Sequence, residues 1–245
     1  EITCRDWSSD VCSSDLESYA AGAALREVKD MENFLIQAAY DEKAVETESA
    51  REITASGVPL VIPAEYLGME RMEGDPEDAE IYGFNGEESD GVAFFSLIPR
   101  EDALPFGDVD SVIENVHEIL EETQGLIRVG SGSTASGRPF IYTIIKNVTE
   151  EGVLQYTLTL QIALEDRALN VQGFFNETGD GKKRERAVYS LRRILSEPWA
   201  ADPYDPTFTR GRLMTQAERS AWDRDYPTHA LSEARKLVKC LVEKN

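Results

Sequence analysis

Histidine, cysteine and positive charge are all scarce in this sequence. Its 245 residues include two histidines and three cysteines. Cys4 and Cys12 both fall within the first 16 residues. Their spacing fits no common zinc pattern, and no histidine lies near them. Cys240 is the one cysteine beyond that stretch. The remaining chain therefore cannot close an internal disulfide, and nothing in it calls for an oxidising compartment. His117 and His229 stand apart from each other and from any evident nucleophile, so no catalytic triad can be assembled from them. Lys and Arg number 25 against 46 Asp and Glu, a net charge of −21. The acids are spread along the chain with no basic stripe, which argues against nucleic acid and against an anionic membrane surface as partners. No stretch approaches the ~18 apolar residues of a membrane span, and no signal-peptide core is visible.

What remains is an ordinary globular composition, 41% hydrophobic and 9% aromatic, long enough for one large domain or one domain with appendages. The opening segment EITCRDWSSDVCSSDL has no hydrophobic period, and its Ser-Ser-Asp pairs favour turns. Residues 7–16, WSSDVCSSDL, look like the translation of a short-read sequencing adapter. Residues 1–16 are accordingly read as artefactual and set aside. Setting them aside removes four acids and one base and leaves a net charge of −18. Met31, at the head of MENFLIQAAY, is then a candidate native start. If upstream sequence was lost instead, a signal peptide or lipid anchor could have gone with it. The expected location is the cytoplasm, with that alternative open.

Residues 17–52 read as an N-terminal helix, over 18–40, and an acidic connection. ITASGVPLVIPAEY (53–66) is a strand or strand pair, placed at an edge by Pro59 and Pro63. EIYGF (80–84) and GVAFFSLIPR (91–100) are strands, the second nearly all apolar and central. Residues 106–125 predict a helix capped by Asp108 or Asp110 and ended by Gly125, with Val109, Val112, Ile113, Val116, Leu120 and Thr123 inward. Four strand-like runs follow at 125–130, 138–146, 153–164 and 169–175. Their short links force antiparallel pairing. In the third run Leu154, Tyr156, Leu158, Leu160, Ile162 and Leu164 point one way, and Gln155, Thr157, Thr159, Gln161 and Ala163 the other. Residues 182–197 predict a second helix with Ala187, Val188, Leu191, Ile194 and Leu195 inward. Beyond a weak boundary near 198, residues 198–245 read as a C-terminal helical extension. It holds a Pro/Asp-rich stretch, a short helix capped by Thr215, and a last helix burying Leu231, Ala234, Leu237, Val238 and Leu241.

Antiparallel strands with helices on their faces make an α+β protein, an antiparallel sheet in an α/β/α sandwich. The order of elements, with GRPFIYTI, LQYTLTLQIAL, LNVQGFFNETG and RERAVYSLRRI, resembles the PsbP-like superfamily over residues 53–197. That superfamily includes extrinsic proteins of photosystem II, a nuclear-import factor that binds the GTPase Ran, and bacterial domains of unknown function. A turn of the form GFF-E-G, here Gly173, Phe174, Phe175, Glu177 and Gly179, precedes the closing helix in bacterial members. The resemblance implies a PsbP-like fold and protein–protein binding more than an activity. None of the family's binding residues maps onto this chain.

Other motifs carry little chemistry. GSGSTASG (130–137) lacks the lysine of a P-loop and runs into a strand, which makes it a hairpin connection before an anion site. Ser131, Ser133 and Ser136 lack the strand–turn–helix setting of a nucleophile elbow. His117 reads as a boundary residue, His229 as a residue that helps start the last helix, and Cys240 as a small apolar residue. Asp202, Asp205, Asp223 and Asp225 lack the spacing of a calcium loop. The polar sheet face of Gln155, Thr157, Thr159, Gln161, Asn170 and Gln172 is the candidate binding surface, with His229 as a further candidate. The sequence thus leads to a non-enzymatic, acidic protein-binding or assembly factor with no cofactor and no metal. Its expected partner is a protein, and the acidic charge would suit a basic one. The alternative is an acidic immunity or chaperone-type protein for a basic secreted partner, with a hydrolase third.

Overall fold

Ser56 and Gly57 both take positive φ, 50° and 79°, the backbone twist a two-residue hairpin turn requires. They fold the first predicted strand region into a pair, β1 (Ala50–Ala55) and β2 (Val58–Pro63). The computed structural model describes residues 49–192 and 197–245. The adapter-like segment, Met31, the expected helix over 18–40, and Ile194 and Leu195 lie outside them.

The main sheet has seven strands in the order β3-β4-β5-β9-β8-β7-β6, every neighbouring pair antiparallel. They are β3 (Leu67–Gly68), β4 (Glu80–Asn85), β5 (Ser89–Pro99), β6 (Gln124–Ser133), β7 (Pro139–Val148), β8 (Leu154–Ala163) and β9 (Arg167–Glu177). The last four form a meander, as their short links demand. β5 is central, between β4 and β9, which its run of apolar residues anticipates.

The first helix, α1 (Val109–Ile119), is capped by Asp108, whose carboxylate accepts a hydrogen bond from Ser111 N–H at 3.1 Å. It is shorter than its periodicity predicts. Gly125 does not end it but sits in β6, where a Cβ would lie 1.6 Å from the Arg212 carbonyl oxygen. Gly125 thus serves the close approach of a distant segment, held by Arg212 N–H donating to the Gln124 carbonyl at 2.7 Å. The second helix, α2 (Lys183–Ser190), buries Arg184 and Val188. Ala187, expected inward, is exposed. The buried positions are a turn apart on one side, and the residue facing inward there is an arginine.

After the two-residue strands β10 (Ala200–Ala201) and β11 (Met214–Thr215), Thr215 and Glu218 form a reciprocal capping box. The helix expected there is two short 3₁₀ turns, Gln216–Glu218 and Ser220–Trp222. The last helix, α3 (Ala230–Glu243), starts at His229, whose imidazole accepts from Leu231 N–H at 3.2 Å.

The sheet has two unlike faces. One packs Tyr156, Leu158, Leu160 and Ile162 of β8, with Phe95, Val171 and Phe175, against the β1–β2 hairpin and α3. Leu231, Ala234, Leu237 and Leu241 of α3 are fully buried there, so α3 belongs to the same core as the strands. Each buried leucine contributes roughly 1.5–3 kcal/mol. On the other face α1 covers one end only. Val112, Val116 and Leu120 pack on Leu126 and Val129 of β6 and Ile141 of β7. Helices on both faces make the α/β/α arrangement of an α+β protein. Among the described residues, no helix is long and apolar enough to cross a membrane.

Candidate functional site

α1 stops short of β5, β9 and β8, and side chains of alternate residues on these strands form a partly open platform. Its two ends are tied by hydrogen-bonded polar rows. At one end Gln155 Nε2–H donates to Asn176 Oδ1, and Asn176 Nδ2–H to Asp90 Oδ1, both at 2.8 Å. At the other, Leu104 N–H donates to Gln161 Oε1 at 2.7 Å, and Gln161 Nε2–H to Asn170 Oδ1 at 3.0 Å. Gln161 and Asn170 are thereby buried and mutually satisfied. Between the rows lie half-buried Thr157 and Thr159 and exposed Gln172. Beside them Phe94 and Phe174 meet edge-to-face, ring centres 6.0 Å apart.

The six polar residues singled out on β8 and β9 therefore share one face, as alternation requires. His229 is not with them. It lies across the sheet beside the Tyr156 ring, with Nε2 3.0 Å from Glu177 Oε1. Buried, bonded at both ring nitrogens and serving as a helix cap, it is placed as part of the core.

The platform continues outward to the edge strand. β3 places Leu67 opposite Gly83, and Met69 N–H donates to the Ile81 carbonyl at 2.9 Å. A Cβ on Gly83 would run into Met69 Sδ. Ile81 pairs with Phe94 and Gly83 with Val92, so Leu67 and Met69 extend the same face that carries Phe94 and Phe174. Leu67 is 60% exposed, Met69 52% and Met72 74%. Residues 70–80 beyond them hold six acids against one base, Arg71.

The remaining titratable groups serve the scaffold. His117 Nε2 lies 3.0 Å from Asp202 Oδ2, and the ring stacks on Phe208 with centres 4.1 Å apart. Asp202 Oδ1 accepts from Tyr204 N–H and Asp205 N–H, both at 2.9 Å. The Tyr204 hydroxyl caps the outer edge of β6, accepting from Val129 N–H and donating to its carbonyl. The Pro/Asp-rich stretch is therefore a strap over α1 and β6. Asp223 lies elsewhere, bonded to Arg184 and Arg235. Among the described residues no three His, Cys, Asp or Glu side chains converge as a metal site would.

Three buried polar clusters escaped the sequence reading. Arg184 donates to the Ala217 and Arg219 carbonyls, Asp223 Oδ1 and Ser232 Oγ. Lys146 Nζ lies 2.9 and 2.8 Å from the Glu218 carboxylate oxygens, and Tyr156 hydroxyl donates to Glu218 at 3.2 Å. Burial, with the Glu218 and Glu177 carboxylates nearby, holds the Tyr156 hydroxyl well above the usual phenol range. Third, Glu233 of α3 is buried near Glu65, and Lys236 Nζ reaches Glu65 Oε1 at 2.6 Å and Glu233 Oε2 at 3.7 Å. Desolvation, then the neighbouring Glu65 charge, raises Glu233 from 4.5 to about 7.

No protein-family model matches the chain, and no curated protein does. Among solved structures, it is similar to the Ran-binding protein Mog1p of Saccharomyces cerevisiae, with 11% identity and a TM-score of 0.41, over 81% of this chain and 98% of that one. It is also similar to the PsbP of the cyanobacterium Synechocystis, with 12% identity and a TM-score of 0.36, over 60% and 91%. A protein of unknown function from Pseudomonas aeruginosa is similar with 13% identity and a TM-score of 0.34, over 61% and 96%. At these scores they carry nothing beyond the fold already described.

Proposed function

We propose that this chain is a non-enzymatic protein-binding protein on a PsbP-like sandwich, and that it binds through the open half of its sheet. One observation carries the reading. The Thr157, Thr159 and Gln172 side chains make no hydrogen bond within the described residues, and they adjoin the half-buried Phe94–Phe174 pair. Free donors and acceptors beside an aromatic pair suit a protein surface, where aromatics supply area and polar groups set orientation. The two histidines and the buried ammonium, in contrast, are already committed. Both histidines and the Lys146–Glu218 pair are held in structural bonds.

Site-specific photo-crosslinking in the native host tests this. A photoreactive residue at Gln172 should give a discrete adduct that Phe174→Asp abolishes, while the same residue at Lys239, exposed on α3, should give none. Equal crosslinking at both positions, or none at Gln172, would remove the sheet face as a binding site.

A further inference from the structure

The outer margin of this face identifies the chemistry of a partner. The inference rests on the protein-binding reading above but concerns a separate set of residues. Leu67, Met69 and Met72 are three of the five large apolar side chains that stand exposed among the described residues, and all three fall within one short stretch. Single exposed apolar residues need no explanation, but a cluster does. Methionine is flexible and polarisable and adapts to apolar surfaces of varied shape. Leu67 and Met69 are anchored from beneath by β4, so the patch has a firm floor.

The rim of the patch has one sign. Glu70, Glu73, Asp75, Glu77 and Asp78 follow Met69 in the same short stretch. The single base, Arg71, turns back to donate to the Ala79 carbonyl at 3.1 Å. Like charge therefore repels nucleic acid and anionic lipid from this edge and attracts a cationic segment. β3 is two residues long, too short to template an added strand. An occupant must engage by its side chains. An amphipathic helix does so, laying its apolar stripe on the patch and its flanking Lys and Arg on the acidic rim. We infer that the β3 edge, Leu67 with Met69 and Met72, is a docking site for a basic amphipathic helix of a partner protein.

The test uses the full chain and a synthetic probe of about 18 residues, roughly five helical turns, composed of Leu and Lys in amphipathic order. A scrambled isomer of the same composition and charge is the control. The ordered peptide should bind at least about tenfold more tightly than its isomer, a difference of about 1.4 kcal/mol. Leu67→Ser/Met69→Ser/Met72→Ser should bring the two peptides level. Glu70→Gln/Glu73→Gln/Glu77→Gln/Asp78→Asn should weaken both and flatten the dependence on salt. Amide hydrogen exchange on the unmodified protein should show protection by the ordered peptide at residues 67–80, a readout that needs no variant to fold. Equal binding of the isomers, binding unchanged in the triple serine variant, or protection elsewhere would each overturn the assignment. Peptide binding is independent of crosslinking at Gln172. A crosslink without peptide binding removes the partner chemistry and keeps the sheet face. The reverse result keeps this edge and removes the centre of the face.

Discussion

Glu233→Gln should change how the stability of this protein depends on pH. Glu233 lies in the first turn of α3 with 6% of its surface exposed. Its Oε2 and the Tyr66 hydroxyl are buried with no hydrogen-bond partner among the described residues. The groups facing it are Glu65, Tyr66 and Lys236, with Cys240 a turn beyond. Its carboxyl rises from 4.5 to about 7 in the folded protein, so the folded state holds this proton more tightly than the unfolded chain. The associated stability is complete below pH 4.5 and is lost as pH rises to about 7. At 1.36 kcal/mol per pH unit, the loss is about 3 kcal/mol. Glutamine keeps the shape, has no proton to lose, and can donate to Glu65. The variant should therefore match the parent near pH 4.5 and exceed it above pH 7 by up to about 3 kcal/mol, or roughly 6–12 °C in Tm for a domain of this size. Urea midpoints of both proteins across that window provide the assay, and their difference cancels the general repulsion of an acidic chain. Parallel pH profiles, or a variant less stable than the parent above pH 7, would refute the reasoning.

Lys146→Met should leave the buried Glu218 carboxylate without its ammonium partner and lower stability by roughly 3–5 kcal/mol. A loss under 1 kcal/mol in denaturant titration would mean that the pair is solvated. His229→Ala removes both the cap of α3 and the partner of Glu177, at a combined cost of about 2–4 kcal/mol. His229→Asn, which supplies a capping oxygen in place of Nδ1, should recover part of that loss, and a neutral alanine variant would count against the cap. Phe174→Asp, placed on the open face, should leave Tm within a few degrees while abolishing the Gln172 crosslink. A large fall in Tm would show that this ring is core.

Much of the architecture is legible because strand alternation and short connections leave few choices. Clean alternation in β8 separates Tyr156, Leu158 and Leu160 from Gln155, Thr157 and Thr159, and the four-strand meander follows from loops too short to cross over. The helix ends are less legible. Gly125 resembles a helix stop in any local reading, yet it is glycine because the Arg212 backbone presses against it. That segment lies far along the chain. Arg184 could not have been placed in the interior from sequence, since an arginine on a polar helix is normally solvated. It is buried because carbonyls and side chains from residues 217–232 converge on it.

The candidate face divides in the same way. Period-2 alternation by itself determines that Gln155, Thr157, Thr159 and Gln161 share a side, and the balance of acids over bases determines the sign of the field around them. Only the tertiary structure decides which of those groups stay free. Gln161 and Asn170 are consumed by each other and by Leu104, whereas Thr157, Thr159 and Gln172 lie where α1 does not reach. Nothing in the sequence marks Leu67 and Met69 as surface residues. Their exposure follows from a position on the outermost strand, which depends on sheet order. That order is set by pairings such as β5 with β9, whose paired residues lie 68 to 88 positions apart, and such pairings leave no local trace in the chain.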